Sequence, residues 1–498
     1  HYDATAAPVV HTPALKALIA WAVALGLLLF QWDQRAAFYG NDMDRKGVYV
    51  QLPPGYDPLS ELLRPLHMPP LYGELATGLP GIPQGSLLQY KALAPLLARM
   101  QFLPIAPDNC IFLHASVNMA TSLHVDDGVL AVPSLRHAED FFGPLGLGGS
   151  RQLTWGPLRS TLGIDFDVTY TPSSRRVFMS QPSYAATILE RAGLQDCNAA
   201  RTPAVPGRIY STADSPKTDD AKLELQAEGF HKHRYHTLVA SLNFLITITR
   251  DDLRYIQAKL AKFCLNPGKP HFQALQHMLR FLQGTQGYGI EFRWNASDPP
   301  PTDGPLRIEA WTDSSYADDA DTGRTTIGDV IKINGATVSA CSKLSQRVDS
   351  CVNHSELAAF VNAVGSASSA TPGKGPDTPT DGAATAFTKA TRTIVWLRGI
   401  KAALERRDVN SMPPTPVYVD NAGVLSMIDG ITMKSANKHI YRTLAEARER
   451  VHIDKVVTVI KINTKDNIAN AMTKQEPGLE GSAAQLRLIT GPISASVS

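Results

Sequence analysis

The stretch Leu-His-Val-Asp-Asp-Gly-Val-Leu-Ala-Val, residues 123–132, places two adjacent acids between two short apolar runs. Short apolar runs on both sides of a polar pair predict a strand, a tight turn and a second strand. Adjacent carboxylates at such a tip repel each other, and divalent cations relieve that repulsion. Because Asp also favours tight turns, the pair taken alone fits an ordinary hairpin at least as well. The stretch predicts the hairpin and leaves its chemistry open.

Another acid follows a long apolar segment near the start of the sequence. Residues 14–30 are apolar apart from Lys16, and Asp33 follows them closely. The segment falls short of the roughly 20 residues that a membrane-spanning helix needs. It also lacks a basic flank, so it predicts a buried core helix instead of a membrane span.

Length and composition limit the classes of protein that fit. The chain has 498 residues, of which 44% are hydrophobic, and its 48 Lys and Arg against 46 Asp and Glu give a net charge of +2. The length predicts two or more domains, and the apolar content excludes a wholly disordered or collagen-like chain. A nucleic-acid partner would have to bind local basic patches. The five cysteines contain no Cys-x-x-Cys pair, which indicates a reducing compartment and neither a zinc cluster nor a disulfide scaffold.

Segments rich in Pro, Gly and small polar residues divide the chain. Residues 202–232 and the consecutive prolines of residues 295–305 predict linkers, and residues 366–384 predict a flexible surface insertion. Residues 233–282 have a helical pattern. From Ile308 onward, strands and helices alternate, which predicts an α/β domain of the ribonuclease H kind.

An ordered series of motifs resembles a known family. The series comprises Y-D-A-T-A-A-P-V-V at 2–10, Q-W-D-Q-R-A-A-F-Y-G at 31–40, L-H-V-D-D at 123–127, L-G-I at 162–164 and M-S-Q-P-S-Y at 179–184. It resembles the reverse transcriptase of copia-type LTR retrotransposon polyproteins. Residues 235–292 look like the thumb and connection region of the same family.

The resemblance implies an α/β chain made of several domains. They are an α+β palm of a right-hand polymerase with partial fingers over residues 1–201, a linker over 202–232, a helical thumb and connection over 233–294, a Pro-rich linker over 295–305, a ribonuclease H-like α/β domain over 306–475 and a tail over 476–498.

The resemblance also implies the residues of a polymerase site. Asp33, Asp126 and Asp127 would be catalytic metal ligands. Phe38 would lie beneath the sugar and exclude a ribose 2′-hydroxyl, although an ordinary core phenylalanine is an equally good interpretation. Gln84 and Gly85 resemble the Pro-Gln-Gly element that contacts the incoming nucleotide.

Two departures from the family accompany these matches. His124 stands where the family has Tyr. The basic fingers residues of the family lie upstream of the segment with which this sequence begins, so we expect weak binding of nucleoside triphosphates.

A second set of acids lies in the C-terminal part of the chain. Asp313 follows a predicted strand, Glu356 lies one turn into a predicted helix, and Asp420 follows another predicted strand. The three acids could therefore meet in one cleft. Each alone fits a cap or a surface acid. Their motifs, A-W-T-D-S-S-Y-A-D-D, H-S-E-L-A-A-F and V-Y-V-D-N-A, resemble the ribonuclease H blocks of the family and imply catalytic metal ligands.

The family has a fourth acid where this chain has Asn470. A neutral amide does not offset the charge of a divalent cation, so the second metal ion should bind more weakly. Asp466, four residues earlier, is a weaker candidate for the fourth ligand.

Basic residues outnumber acids in the predicted thumb. Between Glu228 and Trp294 there are nine Lys and Arg against four Asp and Glu. The nine are Lys232, Arg234, Arg250, Arg254, Lys259, Lys262, Lys269, Arg280 and Arg293. The excess suits phosphate contacts, and a solvated helix face is an equally good interpretation.

The resemblance thus implies an RNA-directed DNA polymerase with a ribonuclease H domain, which uses two Mg²⁺ (or Mn²⁺) ions for phosphoryl transfer in transposition. Its partners would be an RNA template, a DNA primer, dNTPs, the RNA–DNA hybrid and the integrase or capsid protein of the element, with no membrane. We expect it in cytoplasmic virus-like particles and in the nucleus. The alternatives are a decayed copy that keeps nucleic-acid-binding folds without catalysis, and a lone ribonuclease H beside a broken polymerase.

Overall fold

The computed structural model describes residues 7–35, 37–44, 46–52, 72–79, 81–82, 84–146, 152–298, 302–346, 348–349, 351–364, 393–430, 441–475 and 488–489. They form two compact units. The first holds the described residues within 1–11 and 27–162, and the second holds those within 12–26 and 163–498. The predicted insertion at 366–384 lies outside the described residues, and so does most of the predicted tail. The predicted domain bounds stay predictions.

The apolar segment at residues 14–30 forms a helix and the start of a strand. Helix α1 spans Thr12–Leu25, and strand β1 spans Leu28–Arg35. The predicted core helix is therefore confirmed as far as Leu25 and wrong beyond it. Gly26 ends the helix with a φ of 73°, and the guanidinium of Arg175 donates to the carbonyl oxygens of Val23 and Ala24 at 3.2 and 2.9 Å. A Cβ on Gly26 would lie 2.7 Å from this guanidinium, which adds a second reason for glycine there.

The first unit contains a six-stranded antiparallel sheet. The helices and strands of this unit are β1, β2 (Tyr49–Gln51), β3 (Tyr72–Glu74), helix α2 (Gly85–Arg99), β4 (Phe102–Ile105), β5 (Asp108–His114), β6 (Ala120–Ser122), β7 (Asp127–Val132), helix α3 (Leu135–Gly146), β8 (Gln152–Pro157) and β9 (Ser160–Thr161). The strand order is β4-β5-β6-β7-β1-β8, and β2 and β3 form a separate pair. Aromatic side chains of β1, β4, β5 and α3 fill the core beside this sheet. At the edge of this core, the ring of Trp155 on β8 stacks on that of Phe142 at 4.4 Å.

The second unit begins with an antiparallel sheet and a helical cluster. Its first elements are β10 (Ile164–Tyr170), β11 (Ser174–Ser180), α4 (Pro182–Ala192), α5 (Asp219–Ala227), α6 (Lys232–Ile248), α7 (Arg254–Ala261), α8 (Lys269–Gly284) and β12 (Gly289–Asn295). The predicted hairpin of β10 and β11 is confirmed. Helix α5 lies within the segment predicted as a linker, where the Thr218 side chain caps its first turn. Helices α4, α6, α7 and α8 share one apolar core.

A buried ion pair joins α1 to this helical cluster. The ammonium of Lys16 lies 3.7 Å from the carboxylate of Asp251, and both side chains are 1% exposed. Arg254 binds the other oxygen of Asp251 at 2.7 Å. Burial lowers the pKa of Lys16, and Asp251 opposes that shift. Because the two cations share one carboxylate, Asp251 holds this part of the core together electrostatically.

A five-stranded sheet completes the second unit. Its elements are β13 (Ile308–Ser315), β14 (Thr326–Ile333), β15 (Ala336–Leu344), α9 (Val352–Val364), α10 (Thr393–Glu405), β16 (Thr415–Val419), α11 (Ala422–Asp429), α12 (Tyr441–Arg448) and β17 (Val457–Lys461). The order is β15-β14-β13-β16-β17, with the first three strands antiparallel and β16 and β17 parallel to β13. This is the strand order of ribonuclease H-like domains, as the alternating pattern predicts. Among the helices of the described residues, none is long and apolar enough to cross a membrane.

Candidate metal centres

The hairpin that carries the adjacent acids closes through a two-residue turn. His124 and Asp127 exchange backbone hydrogen bonds of 2.8 and 3.1 Å, so Val125 and Asp126 occupy the turn. Val125 has a φ of 61°, a region that β-branched residues rarely adopt and that costs roughly 1–3 kcal/mol. The turn is therefore one residue earlier than its acidic pair suggests, with Asp127 as the first residue of β7.

Asp33 lies directly opposite Asp127. The two residues are register partners on the antiparallel strands β1 and β7, and the amide of Gln34 donates to the carbonyl oxygen of Asp126 at 3.0 Å. Burial, a hydrogen bond with Asp33 and repulsion from Asp126 and Asp33 raise the pKa of Asp127 to about 7. Burial also raises the pKa of Asp126. We call Asp33, Asp126 and Asp127 the first centre.

A glycine beside the first centre has no room for a side chain. A Cβ on Gly128 would lie 2.3 Å from the carbonyl oxygen of Ser122 and 2.4 Å from the ring of Trp32. The Trp32 indole is fixed by its own hydrogen bond to the Thr121 hydroxyl, at 3.2 Å. Gly128 therefore allows β7 to approach β6 and β1 closely enough to bring Asp127 beside Asp33.

A cavity of about 610 Å³ adjoins Asp33 and Asp127. Its other lining residues include Trp155 and Arg159, which the sequence interpretation did not identify. Trp155 is 41% exposed although its ring stacks on Phe142. No local sequence pattern marks either residue, because the pairing of β8 with β1 brings them to the cavity.

His124 sits beside the turn and is partly buried. Burial lowers the pKa of its imidazole, and Asp126 opposes that shift. Its Nδ1 atom is buried and has no hydrogen-bond partner among the described residues. A neutral imidazole is therefore the favoured state, which adds no positive charge to the first centre.

The predicted nucleotide-binding residues lie together in the first unit. Phe38 belongs to a short 3₁₀ turn, Ala37–Gly40, and its ring would be 3.0 Å from a Cβ placed on Gly85. Gln84 precedes α2 and is 1% exposed. Neither amide atom of Gln84 has a hydrogen-bond partner within the described part of the chain. The packing of Phe38 on Gly85 supports their assignment to one site, while their role stays a prediction.

A buried chain of amides links this region to β1, and no local sequence pattern predicts it. The amide nitrogen of Gln89 donates to Gln34 at 2.7 Å, and that of Asn41 donates to Gln89 at 2.6 Å. Asn41 also donates to the carbonyl oxygen of Ala37 at 2.8 Å. Because the Ala37 carbonyl can only accept a hydrogen bond, it fixes which amide atom donates and which accepts at each step from Asn41 to Gln34. We call Gln34, Asn41 and Gln89 the amide chain.

The three acids of the C-terminal part also meet. One carboxylate oxygen of each of Asp313, Glu356 and Asp420 lies within 4.8 Å of the others. Asp313 lies on β13, and Asp420 directly follows β16, the strand that pairs with β13 in parallel. Because the two strands run side by side in the same direction, both acids lie at the same end of the sheet. Glu356 comes from α9, which packs on β13. We call these three acids the second centre.

Burial dominates the electrostatics of the second centre. Burial, followed by repulsion from Asp313 and Asp420, raises the pKa of Glu356 to about 8. Burial raises the pKa of Asp313 to about 6, against the opposing effects of Lys474 and Thr473. Glu356 is 5% exposed, and its Oε2 has no partner among the residues that the structure describes. Such an orphaned oxygen, held beside two other carboxylates, is suited to a cation.

Two serines next to these acids in sequence hydrogen-bond to each other. The hydroxyl groups of Ser314 and Ser355 are 2.8 Å apart, and Ser355 donates to the carbonyl oxygen of Val352 at 2.7 Å. The hydroxyl and amide groups of Ser314 also lower the pKa of Glu356, which opposes the effect of burial. Each serine neighbours one acid in sequence, so the pair fixes Asp313 and Glu356 relative to each other.

Asn470 lies next to the second centre on a short 3₁₀ turn, Ile468–Met472. It is 2% exposed, and its Nδ2 donates to the carbonyl oxygen of Thr464 at 2.7 Å. Its Oδ1 is buried without a partner in the described segments. Asp466 is exposed and is not part of the acid group that the structure brings together. The position of Asp466 therefore gives no support to it as a substitute ligand.

Most basic residues of the predicted thumb bind protein groups. Two of these lysines bind acids in the loop between β13 and β14. Lys259 binds Asp318 at 2.6 Å, and Lys262 binds Asp321 at 2.7 Å. The other engaged side chains are Arg234, Arg250, Arg254, Lys269 and Arg280. The excess of positive charge over residues 228–294 is thus largely internal, which weakens its interpretation as a phosphate track.

Comparison with known proteins agrees with these features. Residues 1–206 match the family described as reverse transcriptase (RNA-dependent DNA polymerase). The chain is 24% identical over 479 residues to the retrovirus-related Pol polyprotein from transposon TNT 1-94 of Nicotiana tabacum, which covers 96% of this chain and 32% of that protein. It is 22% identical over 479 residues to the Pol polyprotein from transposon RE1 of Arabidopsis thaliana, covering 95% of this chain and 28% of that protein.

Among solved structures, the ribonuclease LC11-RNase H1, isolated from compost by a metagenomic approach, matches with 14% identity and a TM-score of 0.22, covering 34% of this chain and 92% of that one. The assignment of the five-stranded domain rests on its own strand order. The chain spans about a third of the length of the curated relatives, at 32% and 28% of each. Residues 1–206 thus match the reverse transcriptase family, and 95–96% of the chain is similar to the Pol polyproteins of these two transposons.

Proposed function

We propose that this chain copies RNA into DNA and cleaves the RNA strand of the resulting hybrid, with Mg²⁺ or Mn²⁺ at two separate acidic centres. One observation carries the proposal: acids far apart in sequence converge twice. Asp33 and Asp127 are register partners in the first unit, and the three acids of the second centre lie within 4.8 Å in the second unit. Clusters of buried carboxylates cost stability, so they persist where a ligand or a reaction requires them.

The residues of both centres fit divalent cations. Carboxylate oxygens are the ligands that Mg²⁺ prefers. The pKa values of Asp127 and Glu356 are raised first by burial and then by repulsion from neighbouring acids, and a bound cation would favour the ionised carboxylates against both effects. Bound divalent cations would stabilise the attacking and leaving oxygens of a phosphoryl transfer. In the first centre Asp33, Asp126 and Asp127 would hold them, and in the second centre Asp313, Glu356 and Asp420 would do so.

The remaining predicted residues would select the substrate. Phe38, packed on Gly85, would exclude the 2′-hydroxyl of a ribonucleotide by lack of space. Gln84 keeps both amide atoms free of partners among the described residues, so it could bind a polar edge of the incoming dNTP or the template. The RNA template and DNA primer would then meet the cavity beside Asp33 and Asp127.

Two variants test the proposal by separating the two reactions. Asp127→Asn should reduce primer extension on an RNA template by at least about a hundredfold, because it removes one acidic ligand of a metal worth several kcal/mol. It should leave cleavage of a labelled RNA–DNA hybrid unchanged. Asp420→Asn should do the reverse. If either variant removes both activities equally, or if both reactions survive both changes, the assignment of one reaction to each centre is wrong.

One observation favours a second candidate function, which is binding of the hybrid without cleavage. Asn470 is a neutral residue beside the second centre, and its Nδ2 is engaged by Thr464. In that case the chain should retain RNA–DNA hybrid in a gel-shift assay with Mg²⁺ and release no cleaved product. Cleavage that depends on Asp420 excludes this candidate.

A further inference from the structure

The last turn of the described domain covers one side of Asp313. Asn467 fixes this turn to β13, since its Nδ2 donates to the carbonyl oxygen of Thr312 at 2.9 Å. The hydroxyl of Thr473 then donates to Oδ2 of Asp313. The ammonium of Lys474 lies 3.9 Å from that same oxygen. A hydroxyl and a cation of this chain thus face one carboxylate oxygen of the second centre.

The neighbouring Asn470 adds no charge to the second centre. Its Nδ2 donates to Thr464, and exchanging the positions of its two amide atoms would place its oxygen against that carbonyl oxygen. The orientation of the amide is therefore fixed. Its buried Oδ1 can offer a neutral ligand at most.

The charges of the second centre can be counted from these side chains. Asp313, Glu356 and Asp420 carry three negative charges when ionised, and Lys474 carries one positive charge beside them. One divalent cation neutralises the two negative charges that remain. Two divalent cations would leave two surplus positive charges in a centre where Asp313 is 2% and Glu356 is 5% exposed. Uncompensated charge at such burial is strongly unfavourable.

We propose that the second centre binds one divalent cation and that Lys474 supplies the remaining positive charge. The proposal rests on the proposed function, and it differs from the two-ion arrangement that the family resemblance implies. The orphaned Oε2 of Glu356 independently points to a ligand in this cluster of acids. Lys474 is 38% exposed in its side chain, so it can be changed without opening the core.

Replacing Lys474 should raise the affinity for the cation if its charge repels the ion, and lower that affinity if the residue only supports the fold. A divalent ion and a unit charge about 6 Å apart repel enough, even at the dielectric constant of water, to weaken binding by about tenfold. Lys474→Met should therefore bind the first Mn²⁺ about tenfold more tightly and admit a second ion. Loss of a residue that merely supports the fold would weaken binding instead.

The experiment is a Mn²⁺ titration of the full chain, followed by calorimetry and by the electron paramagnetic resonance signal of free Mn²⁺. The chain carries Asp33→Asn, Asp126→Asn and Asp127→Asn, so that only the second centre contributes. We expect one Mn²⁺ in this background, one with Lys474→Arg, and two with Asn470→Asp. Asn470→Asp adds a fourth negative charge, so two ions leave one surplus positive charge instead of two, and the second ion can bind.

The outcomes separate the two proposals. Two ions in the background chain, or weaker binding after Lys474→Met, would overturn the single-ion proposal and leave the proposed function intact. Absence of any ion in the background chain would overturn both. Asp420→Asn in the same background is the control, and it should remove the remaining site. Far-UV circular dichroism of each variant shows whether the fold is retained.

Discussion

Glu356→Gln should stabilise the protein when no metal is present. The carboxylate of Glu356 is 5% exposed, and burial together with Asp313 and Asp420 raises its pKa from 4.5 to about 8. A carboxyl whose pKa is raised by folding binds its proton more tightly in the folded state. The free energy of unfolding therefore falls as the pH rises from the unfolded pKa towards the folded one.

The size of the effect follows from these two pKa values. Each pKa unit corresponds to about 1.36 kcal/mol, so at pH 7 the parent loses about 3 kcal/mol relative to a neutral side chain of the same shape. Near pH 5 the difference should be below about 1 kcal/mol. Glutamine keeps an oxygen that can accept from Ser314, so the exchange removes charge with little change in packing. The titration belongs to the cluster as a whole, because Asp313 and Asp420 take part in it.

The assay is differential scanning calorimetry of parent and variant between pH 5 and pH 8, in EDTA and in Mg²⁺. The melting temperature of the affected transition should rise by about 5–10 °C in EDTA at pH 7 for Glu356→Gln. Mg²⁺ should stabilise the parent more than the variant. Asp466→Asn, an exposed acid outside the second centre, is the matched control and should change little. A variant no more stable than the parent at pH 7, or a gain that is equal at pH 5, would refute the reasoning.

Three further changes test other parts of the molecule. Lys16→Met should leave the free energy of unfolding unchanged or raise it, whereas Asp251→Ala should lower it by about 3–5 kcal/mol because two cations lose their partner; urea denaturation measures both. Gly128→Ala should cost about 2–3 kcal/mol, because its Cβ would lie 2.3 Å from a backbone oxygen, whereas Gly156→Ala meets nothing within 4 Å and should leave the melting temperature nearly unchanged. Gln89→Met should cost about 2–4 kcal/mol, since it leaves two buried amides without their shared partner, and hydrogen exchange of peptides from α2 should report the loss.

Local patterns predicted the parts of the fold that depend on neighbours in sequence. The hairpin of β10 and β11 follows from short alternating runs around turn residues. The hairpin predicted at residues 123–132 is also present, but its first strand is Ala120–Ser122 and Val125, predicted to end that strand, lies in the turn. The end of α1 was harder to place because residues 14–30 are apolar throughout, so periodicity alone gave no reason to stop at Leu25. The glycine at position 26 was the available signal, since its φ of 73° is one that ends helices.

Long-range pairing explains what the sequence could not show. Gln34 and Gln89 are 55 residues apart, and each alone is an ordinary polar residue in a strand or helix. Only the packing of α2 against the sheet shows that both are buried. In the same way, Lys259 fits a phosphate contact until its partner Asp318, 59 residues away, is placed beside it. Polar groups that find partners inside the fold carry no local mark of burial.

The two centres differ in how they would depend on a cation. In each, burial is the first cause of a raised carboxyl pKa, about 7 at Asp127 and about 8 at Glu356. The second centre has its own cation, Lys474, 3.9 Å from Asp313, whereas the cavity beside Asp33 and Asp127 is lined by one basic residue, Arg159, among the described residues. A centre with an internal cation needs less external charge to reach neutrality. Because Lys474 also repels a bound ion, titration of the Mn²⁺-loaded protein with EDTA should empty the second centre at a lower EDTA concentration than the first centre.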